Sequence, residues 1–205
     1  TPFEQNCSLL CCTESGRAAL VDPGGDPDRL YRAVDRAGVA VEKVLVTHGH
    51  FDHVGAVAEV SEHFDVPIEG PHPDDRFLIA ELPAWCAQVG FPAGRVFEPD
   101  RWLAAGDQVA VGQQRLEVRH CPGHTPGHVI FFHPLERIAI VGDVIFQGSI
   151  GRTDFPRGDH QALLRSIREQ VFTLGDEVRL LPGHGPTTTV AQERAHNPFL
   201  QGRYG

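Results

Sequence analysis

Three histidines and one aspartate lie in a short segment that directly follows an apolar run. Residues 47–53 read Thr-His-Gly-His-Phe-Asp-His, and residues 44–46 before them read Val-Leu-Val. Imidazole and carboxylate groups are ligands of borderline divalent metals such as Zn²⁺, Fe²⁺ and Mn²⁺. The spacing is too tight for one ion to use all four side chains, but it suits two ions that share one loop. A solvated histidine-rich turn is the alternative interpretation of this segment taken alone.

Three more segments repeat this design, in which a predicted strand ends at a turn that carries possible ligands. Residues 116–119 precede His-Cys-Pro-Gly-His at 120–124, residues 138–141 precede Gly142-Asp143, and residues 178–181 precede Pro-Gly-His-Gly at 182–185. Strand ends hold side chains more firmly than loops do, and glycine lets the backbone approach an ion closely. We therefore expect one sheet edge to collect seven candidate ligands: His48, His50, Asp52, His53, His124, Asp143 and His184.

Other polar residues near these segments receive supporting or structural roles. Asp22 also ends an apolar run, and we expect it to orient a ligand imidazole, to hold the ligand loop, or to cap a turn. His128 is expected beside the ligands without binding metal, and Cys121 is expected to be a small buried residue. Trp85 and Trp102 either wall a pocket or pack elsewhere. The remaining histidines are predicted to be surface or helix-end residues: His63, His72, His120, His133, His160 and His196.

Apolar periodicity and turn residues predict the elements that must position these side chains. Predicted strands cover residues 7–12, 18–22, 43–47, 116–120, 129–132, 137–141 and 178–181. Predicted helices run from Asp26-Pro27 to Gly38 and over residues 53–63, 161–172 and 189–199. Residues 71–107 show little pattern beyond a helix around Phe77 that the pair Asp74-Asp75 would cap.

The composition limits the class of protein. The 205 residues carry a formal charge of −9 and are 41% hydrophobic, which is enough for one sizeable core. The sequence has no basic stripe, which argues against nucleic acid, and its apolar runs are of strand length, which argues against a membrane span. The five cysteines are irregularly spaced, so we expect reduced thiols and a cytoplasmic protein. The length of the chain predicts a single domain over residues 1–205. The oligomeric state is left open.

The order of the motifs resembles the metallo-β-lactamase superfamily across nearly the whole chain. The matching segments are Ala-Leu-Val-Asp at 19–22, Thr-His-x-His-x-Asp-His at 47–53, Pro-Gly-His at 122–124, Gly142-Asp143, and Pro-Gly-His-Gly at 182–185. The resemblance implies an α/β protein, a four-layer αβ/βα sandwich with a binuclear site at one edge. It implies that one ion is bound by His48, His50 and His124, a second by Asp52, His53 and His184, and both by Asp143. Antibiotic-hydrolysing members often carry cysteine in place of Asp143, which argues against a lactamase of that type.

Two stretches resemble particular branches of the superfamily. Residues 121–128 resemble the glyoxalase II pattern, whereas the persulfide dioxygenase branch tends to have cysteine at the position of His128. Residues 148–159 resemble the short bacterial glyoxalase II-like (hydroxyacylglutathione) hydrolases, although their Gly-Arg-Thr-Asp-Phe core also occurs in persulfide dioxygenases. Both branches use glutathione conjugates, and Arg152 matches a basic residue that contacts glutathione. A salt bridge to Asp154 or Asp159 is the alternative role of Arg152.

The sequence also departs from the longer glyoxalase II enzymes. Those enzymes carry a C-terminal helical domain that contacts glutathione, and only a short segment follows His184 here. Asp154 stands where a tyrosine contact is expected. We therefore expect looser glutathione binding and a broader range of substrates.

The expected activity is metal-dependent hydrolysis of S-2-hydroxyacylglutathione, such as S-D-lactoylglutathione, to a 2-hydroxy acid and glutathione. Two divalent ions, zinc or else iron or manganese, would generate a bridging hydroxide that attacks the thioester carbonyl. Asp52 and Asp143 receive a catalytic as well as a metal-binding role. One alternative is an Fe²⁺-dependent glutathione persulfide dioxygenase that uses His48, His124 and Asp143 as a facial triad. A weaker alternative is a non-catalytic interaction protein with a structural metal.

Overall fold

Two β-sheets pack face to face in the computed structural model, which describes residues 1–92 and 94–201. The first sheet contains β1 (Ser8–Cys11), β2 (Arg17–Val21), β3 (Ala40–Leu45) and β4 (Ile68–Glu69). The second contains β5 (Gln108–Val111), β6 (Gln114–His120), β7 (Val129–His133), β8 (Ile138–Gly142), β11 (Arg179–Pro182) and β12 (Thr188–Thr189). A small hairpin joins β9 (Ile145–Phe146) to β10 (Ser149–Ile150).

Helices cover the outer faces of both sheets. Their bounds are α1 (Pro27–Ala37), α2 (Phe51–Val54), α3 (Val57–Phe64), α4 (Arg76–Ala80), α5 (Leu82–Val89), α6 (His160–Ser166) and α7 (Val190–His196). Shorter turns of 3₁₀ type cover Pro73–Asp75 and Phe172–Leu174, and a π-helical turn covers Ile167–Val171.

The strand pairing brings the ligand-bearing turns to one edge of the sandwich. The first sheet has the order β1-β2-β3-β4, and β2 and β3 run parallel. The second has the order β12-β11-β8-β7-β6-β5, and β8 and β11 run parallel. Parallel strands end at the same edge, so the turns after β2 and β3 meet, as do the turns after β8 and β11. A hydrogen bond of 2.8 Å from Val129 N to Thr47 O joins these edges of the two sheets.

Three apolar layers hold the sandwich together, and the pleat of the strands separates them. Leu45 and Phe131 belong to the layer between the two sheets. Their neighbours point the other way, since Val44 packs in a layer with helix residues such as Val57, and Ile130 packs with Leu163 of α6. Helix, sheet, sheet and helix therefore form four layers, which confirms the predicted αβ/βα sandwich.

The predicted helix over residues 53–63 is wrong as one element. The chain forms α2 and α3 instead, because Ala56 N donates a hydrogen bond of 3.0 Å to Pro23 O and diverts the backbone. The predicted helix over 161–172 is α6 followed by the π-helical turn. Helix α1 begins at Pro27 and ends at Gly38 as predicted, but Asp26 makes no side-chain capping hydrogen bond. The predicted strands are all present, with ends that differ by a few residues.

The poorly patterned segment over residues 71–107 contains two short helices, α4 and α5, before the chain enters β5. None of the helices within the described part of the chain is long and apolar enough to cross a membrane. The expected single domain over residues 1–205 stays a prediction, and residues 93 and 202–205 lie outside the described residues.

Candidate metal centre

The seven predicted ligands meet at one edge of the sandwich, in two adjacent groups. In the first group one ligand atom from each side chain lies within 4.8 Å of the others, and the members are His48, His50 and His124. The second group meets the same limit, and its members are Asp52, His53 and His184. These are the two triplets that the family resemblance implies, one for each ion.

Asp143 lies between the two groups. Its Oδ1 is 3.3 Å from His53 Nε2, and its Oδ2 is 3.6 Å from both His124 Nε2 and His184 Nε2. Gly183 lies so close that a Cβ built on it would be 2.1 Å from Asp143 Oδ1, so this position requires glycine. The carboxylate thus lies within 3.6 Å of side chains from both groups, a position that suits a ligand shared by two ions.

Buried polar atoms without partners identify this edge as the place for cations. His48 Nε2, His53 Nε2 and Asp143 Oδ1 are buried, and none has a hydrogen-bond partner among the described residues. Buried polar atoms are almost always paired, because an unpaired one costs about 1–3 kcal/mol. Nitrogen and carboxylate donors that converge without partners fit divalent metal ions, which would satisfy all three atoms.

Asp22 supports the second group from behind. His53 Nδ1 donates to Asp22 Oδ2 over 2.9 Å, so the lone pair of His53 Nε2 is left facing Asp143. The same carboxylate accepts hydrogen bonds from Thr47, from its hydroxyl at 2.6 Å and from its backbone N at 2.7 Å. Asp22 thus contacts a ligand imidazole and holds the start of the ligand loop. These are two of the three roles that the sequence suggested for it.

Backbone carbonyls and His128 orient three other ligands. His124 Nδ1 donates to Arg152 O at 2.7 Å, and His184 Nδ1 donates to Phe3 O at 3.0 Å, so both Nε2 atoms face the centre. His128 Nε2 accepts a hydrogen bond of 3.0 Å from Asp143 N and fixes the turn that carries this carboxylate. The side chain of His128 lies beside the ligands, as predicted.

The charge states of the two groups differ. Burial lowers the pKa of His50 to about 3 and also lowers the pKa values of His48 and His124, so the first group is neutral and ready to bind a cation. Burial also opposes charge on His53, but the carboxylates of Asp143, Asp22 and Asp52 together outweigh it and raise the pKa of His53. Burial disfavours the ionised form of Asp143, yet the nearby imidazolium holds its pKa below the usual range.

Asp75 is a supporting residue that the sequence did not predict. It was expected to cap a helix, but its buried carboxylate makes no capping hydrogen bond. It accepts hydrogen bonds from Gly49 N at 2.9 Å, Thr125 Oγ1 at 2.8 Å and Gly127 N at 2.6 Å. Asp75 thereby joins the loop of His48 and His50 to the turn after His124. The only local signal was an aspartate within an otherwise unpatterned segment.

A cavity of about 500 Å³ opens over the centre. His50, Asp52 and Asp143 line its base, and its wall is largely apolar and includes Trp85. Trp102 is not part of this wall and donates a hydrogen bond to Glu98. An open cavity above a cluster of metal ligands is typical of a catalytic site and not of a closed structural site.

Arg152 lies at the rim of the cavity. Its guanidinium makes two hydrogen bonds to Asp154, of 2.7 and 2.6 Å, and lies 4.4 Å from the centre of the Phe155 ring. The alternative salt bridge is therefore present with Asp154, and Asp159 caps α6 instead. Both Arg152 and Asp154 are exposed, so a ligand at the rim can reach the arginine.

Three histidines differ from the surface prediction. His133 is buried, donates from Nε2 to Gln114 at 2.9 Å and accepts at Nδ1 from Glu136 N at 3.1 Å. His72 and His120 are partly buried and stack on each other. Periodicity could not reveal the contact of His133 with Gln114 or that of His72 with His120, because these partners come from other segments. Cys121 is buried in the apolar layer beside α6, as expected.

Residues 1–184 match the sequence profile of the Metallo-beta-lactamase superfamily. The chain belongs to this superfamily. Hydroxyacylglutathione hydrolase GloC of Haemophilus influenzae is 43% identical over 99% of this chain and 96% of its own length. Together these likenesses confirm the predicted family and identify the chain as a metal-dependent hydrolase.

Two solved structures are also similar over almost the full length. BLEG-1 B3 metallo-beta-lactamase has a TM-score of 0.91 and 37% identity, and the alignment covers 98% of this chain and 97% of that one. TTHA1623 in a di-iron-bound form has a TM-score of 0.89 and 38% identity with the same coverage. The His and Asp groups of the present chain are suited to two metal ions, as in the second of these proteins.

Proposed function

We propose that this enzyme hydrolyses S-2-hydroxyacylglutathione thioesters, such as S-D-lactoylglutathione, to a 2-hydroxy acid and glutathione. The observation that carries the proposal is the pair of ligand groups, joined by Asp143, at the base of an open cavity. The likeness to a hydroxyacylglutathione hydrolase over almost the whole chain supports this choice of substrate.

The proposed roles follow from the positions of the side chains. His48, His50 and His124 hold one ion, and Asp52, His53 and His184 hold the other. Asp143 contacts both groups and fixes their separation, while Asp52 and Asp143 supply the negative charge at the reacting centre. Two divalent ions at this site supply Lewis-acid polarisation of a carbonyl and a water of lowered pKa. Zinc is the metal we propose, with iron or manganese as the alternatives.

The cavity supports a division of the substrate between base and rim. A thioester carbonyl placed over His50 and Asp143 lies at the base, where the apolar wall around Trp85 excludes water from the acyl group. The glutathione moiety is anionic, and Arg152 at the rim is a side chain that can hold a carboxylate with two hydrogen bonds. Its present partner, Asp154, would have to yield to the substrate, which agrees with loose binding of glutathione.

Replacing Arg152 by glutamine tests the assignment at the rim. We expect the Michaelis constant for S-D-lactoylglutathione to rise by about tenfold, because a charge-assisted hydrogen bond contributes roughly 1.5–3 kcal/mol and Asp154 already competes for it. The Michaelis constant for a small neutral thioester should stay unchanged. Equal losses on both substrates would mean that Arg152 has a structural role only.

Thiol release from S-D-lactoylglutathione by zinc-loaded protein tests the proposal directly. We expect rapid release that a chelator abolishes and added Zn²⁺ restores, with a β-lactam tested in parallel as a poorer substrate. Oxygen uptake with glutathione persulfide and Fe²⁺, in the absence of thiol release, would instead favour the persulfide dioxygenase. The five free cysteines agree with a reducing compartment, and we propose that the enzyme acts in the cytoplasm.

A further inference from the structure

We propose that His72, Asp74 and His120 form a third metal site, outside the catalytic centre. One ligand atom from each of these side chains lies within 4.8 Å of the others. None of them belongs to the two groups described above. Two imidazoles and one carboxylate are suitable ligands for a borderline divalent ion such as Zn²⁺, and the remaining coordination positions would be open to water. We call these three residues the surface triad.

The backbone holds the surface triad in place from two sides. His72 N donates to Gly127 O over 3.1 Å, and Asp75 N donates to His72 O over 3.0 Å, so the turn that carries Asp74 is fixed. His120 is the last residue of β6 and pairs with Val129 in the sheet. A site whose ligands are held by such elements loses little conformational freedom when a metal binds.

The contacts of the two imidazoles show which nitrogens can bind an ion. His72 Nδ1 accepts a hydrogen bond of 3.3 Å from Asp74 N, and an ion bound at this atom would replace it. His120 Nε2 donates to Pro126 O over 2.8 Å, so the proton lies on Nε2 and the lone pair of Nδ1 is free for a metal. The ring of His72 stacks on that of His120, with centroids 4.2 Å apart and planes inclined by 17°, so one ring has to rotate out of the stack before both nitrogens face the same ion. Burial, followed by the nearby His120, lowers the pKa of His72, which favours the neutral imidazole that a metal binds.

Solvent ions can reach the surface triad. The side chain of His72 is 21% exposed and that of Asp74 is 58% exposed, whereas His48 is fully buried in the catalytic centre. His72 Nδ1 and Asp74 Oδ2 are 3.4 Å apart, close enough for one ion to contact both once the side chains rotate. We therefore expect this site to bind metal more weakly and to exchange it faster than the buried centre.

An ion at the surface triad would have a structural consequence. It would join the turn of Asp74 to the end of β6, beside the junction that Asp75 makes inside the protein with Gly127. Since Asp75 also holds Gly49 between two catalytic histidines, the third ion would stiffen the support of the centre from outside. We expect added Zn²⁺ to raise the melting temperature beyond the value reached when the catalytic centre is filled.

Zinc titration of the loaded enzyme tests the proposal. Protein with a filled catalytic centre is dialysed to remove loosely held metal and is then titrated with Zn²⁺ by calorimetry. We expect one further ion per chain in the wild type, and an affinity weaker by more than about tenfold in Asp74→Asn and His120→Gln. His196→Gln, which changes an exposed histidine away from the surface triad, should bind as the wild type does.

Two results would overturn the third site. The wild type would take up no ion beyond those of the catalytic centre, or both variants would bind the further ion with unchanged affinity. Asp74 is exposed, so Asp74→Asn should fold normally, and an unchanged melting temperature in chelator checks this point. Thiol release should persist in that variant, which separates loss of the third site from failure of the proposed hydrolase activity.

Discussion

His53 and His133 are both buried histidines, but they lie at opposite ends of the sandwich and have different surroundings. His133 ends β7 far from the centre, and both of its ring nitrogens have hydrogen-bond partners. His53 Nε2 has none within the described chain, and it faces Asp143 Oδ1, which also lacks one. Burial of a polar residue therefore does not identify a site, whereas convergence of unpartnered buried atoms does.

Each of these two ends also has a cavity. The cavity beside His133 has a volume of about 280 Å³, and the cavity over the catalytic centre has a volume of about 500 Å³. Only the larger one has the ligand groups at its base. We therefore expect changes at the catalytic end to reduce activity and metal content, and changes at the His133 end to reduce only the stability of the fold.

Removal of the bridging carboxylate should have the largest effect. Asp143→Ala removes the carboxylate that lies beside His53 and His184. Neither proposed ion would then keep a full set of ligands. We expect thiol-release activity to fall by more than about 100-fold, since loss of residues that merely orient ligands already costs 10–100-fold. Metal analysis should show loss of both ions, and retention of both with full activity would contradict the assignment.

Asp75→Asn should have the next largest effect, although this residue is not a proposed ligand. The amide would keep the shape but lose one acceptor oxygen, either Oδ2, which now serves Gly49 N and Thr125 Oγ1, or Oδ1, which serves Gly127 N. We expect activity or metal affinity to fall by about 10–100-fold. Asp65→Asn, at an exposed aspartate, is the matched control. Equal behaviour of the two variants would show that Asp75 does not position the ligand loops.

Mild acid should destabilise the chelated protein. Burial lowers the pKa values of His48, His50, His124 and His128, so the folded chain leaves them neutral where the unfolded chain binds protons. Their contribution is therefore present above the ordinary value of 6.5 and is lost as the pH falls below it.

The expected size of this effect follows from proton linkage. Each such histidine should lower the free energy of unfolding by up to about 1.4 kcal/mol per pH unit. Burial raises the pKa of Asp75 to about 6, so the folded state takes up a proton there and offsets the contribution of about one histidine. The pKa of His53 is raised, so His53 changes the stability only above pH 6.5. Urea unfolding in chelator between about pH 7 and pH 5 measures the slope. A flat profile would mean that these imidazoles are protonated in the fold.

His133→Leu should have the smallest effect on activity. It removes the two hydrogen bonds that His133 makes with Glu136 N and Gln114 Oε1, at a cost of roughly 1–3 kcal/mol in the free energy of unfolding. Metal content and thiol release should stay at the wild-type level. A loss of metal in this variant would mean that the two ends of β7 are coupled, and the contrast drawn above would fail.

The sequence indicated where the candidate ligands would meet because each group of them follows a strand, whereas the sandwich architecture was implied by the family resemblance. Asp143 could be assigned from Gly142 and the apolar run before it, with no knowledge of distant contacts. Asp75 could not, since its partners lie 26, 50 and 52 residues away along the chain. His133 was placed at the surface because a histidine carries no local signal of the partners that allow it to be buried. The break between α2 and α3 likewise depends on a hydrogen bond to Pro23, a distant residue.

The number of ions per chain, measured by native mass spectrometry after dialysis against metal-free buffer, tests most directly whether unpartnered buried atoms mark a binuclear centre. Dialysis removes the weakly held third ion. We expect two ions in the wild type and in His133→Leu, and one in His53→Gln, which keeps the group of His48, His50 and His124. A wild type that holds fewer than two ions, or a His53→Gln variant that keeps both, would contradict this interpretation.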